Sequence, residues 1–242
     1  MSESLNGRRI LVTGGTTGIG RAIITELAGQ GAQVLTFGRD PAALEDALAT
    51  FADLPGKVHG FNVDAATREG VARIFEEVDG TLGGLDILIS NAALGAEPID
   101  AMGDDEWRYV VEVNLVGAMA VTRGALERLK EGGQVVIVGS ISSDIHAPGE
   151  SVYSATKAGL AAFAETLRKE VAERGVRVSL VQPGTTGSDM QESSPEEQRD
   201  MIARQEMLRA EDIAEAVGFI VTRPPRAVVV TLRMEPLVQE LG

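Results

Sequence analysis

Cysteine is absent from the 242-residue chain, so disulfides, cysteine-ligated zinc and thiol nucleophiles are excluded. Histidine is almost absent too. His59 and His146 are too few for a histidine-based metal centre, and no metal is expected. Basic residues are outnumbered, with 22 Lys plus Arg against 36 Asp plus Glu and a formal charge of −14. A surface of that sign repels nucleic acid and anionic lipid, so neither is an expected partner. No apolar stretch approaches the length needed to span a bilayer. Met1 to Asn6 is polar and lacks the basic-then-apolar pattern of a secretory leader. Together with the missing cysteine, this makes the cytoplasm the expected location. Aromatics are only 4% of residues, whereas apolar residues reach 44% and glycine 28 residues. Such a chain builds its core from Ala, Val, Leu and Ile, with many close backbone approaches.

The apolar residues fall into two alternating patterns. Short β-branched runs occupy 10–12, 34–37, 58–61, 85–89, 135–138, 176–181 and 227–230. Several are continuously apolar, as in strands covered on both faces. Between them lie helical patterns over 18–28, 42–51, 68–79, 105–129, 152–174 and 210–221, with glycines such as Gly31 and Gly175 where helices stop. Regular strand–helix alternation predicts right-handed βαβ units. The expected fold is α/β: a doubly wound Rossmann fold in one domain, 1–242, whose seven-stranded, mostly parallel sheet has helices on both faces. Residues 188–204 interrupt the alternation with a polar, acidic stretch, and 188–208 are expected to form a mobile lid over the substrate.

Thr13-Gly14-Gly15-Thr16-Thr17-Gly18-Ile19-Gly20 follows the first strand and opens the first helix. Gly14 permits a tight turn, while Gly18 and Gly20 let the backbone approach a pyrophosphate placed on the helix N-terminus. The alternative is a glycine-rich turn without a ligand. The spacing is G-x-x-x-G-x-G, and with it the chain resembles the short-chain dehydrogenase/reductase family along nearly its whole length. The other motifs that carry the resemblance follow in order: Asp64 after strand three, Asn91-Ala92-Ala93 after strand four, Asn114, Ser140, Tyr153-Ser-Ala-Thr-Lys157 and Pro183-Gly184. Ala93 departs from the glycine usual in that family. The resemblance implies that Gly14, Thr16, Thr17, Gly18, Ile19, Gly20, Asp64, Ala65, Asn91 and Ala92 border a dinucleotide. Pro183, Gly184, Thr185, Thr186 and Ser188 would hold its nicotinamide. Asp64 is alternatively a cap for the next helix.

The end of strand two discriminates between NAD and NADP, because an acidic residue there repels a 2′-phosphate. This chain has Gly38 followed by Arg39, and a guanidinium pairs with phosphate. NADP(H) is therefore the expected cofactor. Asp40 beside it works the other way, and the plain alternative for Arg39 is a surface cation.

Tyr153 and Lys157 are four residues apart, on one face of a helix. A nearby ammonium favours the phenolate, so Tyr153 is expected to exchange a proton with a substrate oxygen while Ser140 hydrogen-bonds that oxygen. The resemblance implies that Asn114 holds a water linking to Lys157 and that Lys157 reaches the cofactor ribose. Ser142 and Met190 are expected to face the substrate; Ser140 as a helix cap, Asn114 as a buried amide and a surface Tyr–Lys pair are the alternatives. Trp107 is expected in the core and His146 in a loop without chemistry. The implied activity is hydride transfer between NADP(H) and a small carbonyl or alcohol substrate. An NADP-binding regulator without turnover, or an imine reductase, would use the same fold. Small residues at Ala155, Ala158, Ala161, Ala162 and Ala164, with Val110, Val113, Val116 and Ala120, predict a helix face for a homotetramer or homodimer. The resemblance implies the same pairing, with a second contact through 213–230.

Overall fold

The computed structural model describes residues 3–191 and 193–239; Met1, Ser2, Glu192, Glu240, Leu241 and Gly242 lie outside them, including one position of the expected lid. The strands are β1 (Arg9–Thr13), β2 (Gln33–Gly38), β3 (Lys57–Asn62), β4 (Ile87–Ser90), β5 (Gln134–Val138), β6 (Arg177–Pro183) and β7 (Thr231–Met234). They form a single sheet in the order β3-β2-β1-β4-β5-β6-β7, with every pair parallel. The helices are α1 (Gly18–Gly29), α2 (Pro41–Thr50), α3 (Arg68–Glu77), α4 (Asp104–Val111), α5 (Ala118–Leu126), α6 (Ser151–Val171), α7 (Pro195–Ala203) and α8 (Ala210–Val221).

Alternate strand residues face opposite sides, which splits the core into two layers. Leu11, Leu35, Leu88, Val135, Ile137 and Val178 pack beneath α3, α5 and α6. Ile10, Val12, Val34, Ile87, Ile89 and Val136 pack beneath α1 and α8. Both layers are buried, so the central strands need apolar residues on both faces, and that is why their sequences read as unbroken apolar runs.

The last strand is displaced from the expected 227–230 to Thr231–Met234. The guanidinium of the buried Arg177 donates to the carbonyls of Arg223 (2.7 Å) and Pro224 (3.2 Å), pinning the chain before the strand. Pairing with β6 then begins at Leu180 opposite Thr231. This edge strand alternates exposed and half-buried residues, so its signature is Thr-Leu-Arg-Met and not the preceding valine run. Val228 and Val230 are exposed.

The expected helix over 105–129 is one continuous helical rod, Asp104–Leu126, in which α4 and α5 are joined by a π-helical segment, Glu112–Gly117. Contrary to the expectation from apolar run length, this rod is long enough, with a mean hydropathy of 1.2 over its most apolar stretch, to cross a membrane by length and composition alone. Here one side of it is core: Val110, Asn114, Ala118, Val121 and Ala125 are buried, while Asp104, Asp105 and Glu106 line its first turn. Trp107 is only partly covered; its indole donates to Asp104 (3.0 Å), and Arg108 stacks on it.

The polar stretch after β6 is not featureless. Ser194 caps α7 by accepting from the Glu197 amide (3.3 Å), and the Glu197 carboxylate accepts in return from the Ser194 amide (2.7 Å). The segment is tied back by parallel pairing of Thr186 with Leu208.

Ile89, fully buried in β4, should be among the costliest truncations. Ile89→Ala is expected to lower the unfolding free energy by about 2–5 kcal/mol in urea denaturation. Gln33→Ala, at an exposed position of β2, should stay within about 0.5 kcal/mol.

Candidate active site

The chain leaves β1 for β2 on one side and, after β3, crosses back past β1 to β4 on the other. The loops after β1 and β4 part at the carboxyl ends of the strands, leaving a cleft of about 490 Å³. Thr13 anchors its floor. Its hydroxyl accepts from the amides of both Asn91 and Ala92 (2.9 Å each), and the Asn91 side chain donates to the carbonyls of Thr13 and Gly14 (3.1 Å each). Asn91 thus braces the glycine turn and spends its amide on protein. Gly14 has φ +67°, and a side chain there would put Cβ 2.8 Å from the Ala92 Cα. A Cβ on Gly20 would strike the Gly14 carbonyl oxygen. Thr17, at the start of α1, makes no side-chain capping bond, so the first-turn N–H groups are left for a ligand. A turn with that close backbone fit and open helix donors suits a pyrophosphate.

At one end of the cleft, Gly38 sits against Thr16, and Arg39 and Asp64 line the wall. Asp40 also lines the cleft, where its Oδ1 accepts from the amides of Ala42 (2.8 Å) and Ala43 (3.3 Å), capping α2. Asp64 is not the cap of α3 either, because Thr67 takes that role by accepting from the Gly70 amide (2.9 Å). The Asp64 carboxylate instead accepts from the Tyr109 hydroxyl (2.7 Å), which itself accepts from Arg39 (2.6 Å).

At the other end Ser140, Tyr153 and Lys157 converge on the cleft. Ser140 follows β5 in extended backbone, and its hydroxyl accepts from the Ser142 amide (3.1 Å). Tyr153 is half-buried on the first turn of α6. Burial pushes its phenol up to about 12; the Ser140 hydroxyl acts the other way, and the Glu150 carboxylate adds to the rise. The sequence-based expectation was a phenol lowered by Lys157. In the structure the Lys157 Nζ lies 5.4 Å from the Tyr153 ring centroid and donates to the Val138 carbonyl (3.3 Å). Lys157 is 2% exposed, and desolvation lowers it to about 8. Both groups are thereby pushed toward their uncharged forms.

Asn114 is fully buried and lines neither cavity. Its side chain accepts from the Leu94 amide (2.7 Å), donates to the Leu94 carbonyl (2.8 Å), and reaches the Thr156 hydroxyl (3.4 Å). It ties the loop after β4 to α6 from within the π-helical segment, a kind of irregularity common at functional sites.

Pro183, Gly184, Thr186 and Ser188 line the cleft, as do Thr16, Thr17, Gly18, Ile19, Ala65 and Ala92. Thr185 does not. Its amide donates to Gln239 (2.9 Å), and it borders a second cavity of about 1110 Å³. That cavity meets the cleft at Ser140, Tyr153, Gly184, Met190 and Gln191. Ser142 lines it, and its hydroxyl donates to Glu150 (2.9 Å). His146 lies outside both cavities. Tyr109 is a functional residue that the sequence does not mark. It has no motif: its role depends on which distant groups the fold sets beside it.

A family model described as short chain dehydrogenase matches residues 8–199. The chain belongs to the short-chain dehydrogenase/reductase family. It is 33% identical over 223 residues to the 3-oxoacyl-(acyl-carrier-protein) reductase of Haemophilus influenzae, covering 89% of this chain and 91% of that one. The Aquifex aeolicus protein of the same name is 33% identical over 228 residues, covering 91% and 92%. Among solved structures, a short-chain dehydrogenase of Burkholderia cenocepacia in complex with NADP is 30% identical. It superposes with a TM-score of 0.86, covering 96% of this chain and 98% of the other. A dehydrogenase/reductase from Sinorhizobium meliloti, also 30% identical, gives 0.87 with 96% and 95% covered. This short-chain dehydrogenase/reductase is accordingly an oxidoreductase with the family's doubly wound, parallel sheet.

The buried lysine makes stability depend on pH. Lys157 loses its proton near pH 8 in the folded chain, against an ordinary value of 10.5 when unfolded. Between these values the unfolded chain binds more protons, so stability rises with pH, by on the order of 3 kcal/mol. Lys157→Met should lack that rise. Urea titrations at pH 7 and pH 10 should show wild type gaining on the variant at the higher pH; an unchanged difference would mean that the ammonium is solvated in the fold.

Proposed function

We propose that this enzyme reduces a small carbonyl compound with NADPH, with Tyr153 delivering the proton to the nascent alkoxide oxygen. One observation carries the reading: Tyr153 and Ser140 point into the junction between the dinucleotide-shaped cleft and the second cavity. The bound nicotinamide supplies the hydride. Tyr153 starts protonated, with its phenol far above neutral pH, which suits a general acid. Ser140 orients the carbonyl oxygen, and Lys157, held beneath by Val138, sits where an ammonium favours the phenolate left behind. Asn114 positions Leu94 and α6 around them. Arg39 at the far end selects the 2′-phosphate of NADP. The NADP-bound Burkholderia cenocepacia relative supports the cofactor.

The described residues bordering the second cavity include Glu97, Glu106 and Glu150 and no lysine or arginine. That wall favours an uncharged or amine-bearing carbonyl compound over a free carboxylate. Met190 and Met201 border this cavity, and 188–208 would act as its lid.

Tyr153→Phe should reduce NADPH consumption about 10²- to 10⁴-fold on whichever aldehyde, ketone or imine of a screening panel is turned over best. NADPH affinity, measured by fluorescence, should change less than about twofold. Full turnover by the variant would remove Tyr153 from the chemistry. Tight NADPH binding with no turnover on any panel member would favour a cofactor-binding regulator.

The enzyme is further proposed to assemble as a homotetramer. Val116 and Met119 on the rod that carries α4 and α5 are exposed, as are Phe219 on α8 and Val228 and Val230 before β7. These are apolar side chains on the two faces that the sequence marks for self-association, and burying them between copies is favourable. Light scattering at micromolar concentration should give about four times the chain mass, and a monomer mass would refute the assembly.

A further inference from the structure

Arg39, Tyr109 and Asp64 stand on three different elements, at the end of β2, in α4 and after β3. The Arg39 Nη1 donates to the Tyr109 Oη (2.6 Å), and its Cζ lies 5.3 Å from the ring centroid. The same Oη donates to the Asp64 Oδ2 (2.7 Å), while the Asp64 Oδ1 accepts from the Ala66 amide (2.9 Å). Both Arg39 and Asp64 line the cleft, and Arg39 is exposed.

We infer that Tyr109 is a positioning residue for cofactor selectivity, holding Arg39 ready for a 2′-phosphate while keeping Asp64 from neutralising it. The inference rests on the NADP reading above. An exposed arginine has many rotamers, and fixing one of them on binding costs affinity. Here the phenol oxygen fixes one guanidinium nitrogen beforehand and leaves the remaining donors for the ligand. The phenol is also a neutral spacer. It satisfies Asp64 through its proton and Arg39 through its lone pair, and no carboxylate among the described residues forms an ion pair with Arg39. Burial and the neighbouring carboxylate raise the Tyr109 phenol above its ordinary value, so it keeps the proton this arrangement needs. Asp40, the other nearby acid, is occupied as the cap of α2.

Tyr109→Phe removes the hydroxyl and keeps the ring. It frees Arg39 to swing or to pair with Asp64, and either outcome opposes a phosphate. Fluorescence titrations with NADPH and with NADH test this without any substrate. Wild type should prefer NADPH, and Tyr109→Phe should weaken NADPH by about five- to tenfold, the worth of one hydrogen bond. NADH affinity should move less than about twofold, which also reports that the variant is folded. In an Arg39→Ala background, Tyr109→Phe should have no further effect on the NADPH-to-NADH ratio. Equal losses for both cofactors would make Tyr109 merely structural and overturn the inference. So would an unchanged ratio, or tighter NADPH binding by the variant, which would mark the contact as a latch against the cofactor. A wild type without NADPH preference would overturn the NADP reading together with the inference. Preference lost in Arg39→Ala but kept in Tyr109→Phe would overturn the inference alone.

Discussion

A single hydroxyl ties the loop after β4 to the end of β1, where the two halves of the sheet diverge. Thr13 ends β1, which the chain leaves one way for β2 and, after β3, crosses back past on its way to β4. Its oxygen accepts two amide hydrogens from the loop after β4, so that loop is fixed against the glycine turn after β1. Asn91 returns two bonds from the opposite side. With these four contacts the walls of the cleft become one rigid unit, and the steric demands at Gly14 and Gly20 follow from it: neither backbone has room for a side chain. Every other part of the site is placed relative to this junction. Asn114 carries the constraint onward, because it grips Leu94 in the same loop and reaches Thr156 on the helix that bears Tyr153.

The reacting end of the cleft stores an electrostatic tension. Lys157 is almost without solvent and has one carbonyl for a partner, so its charge is poorly compensated. Tyr153 is pushed the opposite way by the same low polarity. Burial disfavours the charged form of both groups, although Lys157, lowered to about 8, is still an ammonium at neutral pH. Such a pair changes protonation readily when charge arrives nearby, which is the property an acid–base site needs. The acids at the opposite end behave differently. Asp40 caps a helix and Asp64 is held by a phenol, so neither of these carboxylates pairs directly with the Arg39 guanidinium.

Much of this was legible in order along the chain. Strand–helix alternation, the glycine turn, and the Ser140, Tyr153 and Lys157 spacing are local patterns, written within a few residues by periodicity or by backbone demands. The site positions, many of them implied by the family resemblance, line the cleft apart from Thr185, Ser142 and Asn114. Thr185 turns to the neighbouring cavity because its amide is taken by Gln239, 54 residues away. Asn114 turns inward because a π-helical segment and Leu94 claim its amide. The last strand was misplaced for a related reason: a valine run resembles a strand, but Arg177 on β6 decides where the chain may start to pair.

The sequence by itself determined the class of fold, the side of the sheet on which ligands bind and the chemical groups available there. These depend on short-range periodicity and on glycines whose backbone must be bare. Only the tertiary structure decided which acids are spent as caps, that Tyr109 stands between Arg39 and Asp64, and that Glu150 reaches Ser142 beside Tyr153. Those pairings join residues on separate elements, and no local pattern encodes them. They arise when the packed layers bring the elements together, and burial then sets how strongly each pair of groups interacts.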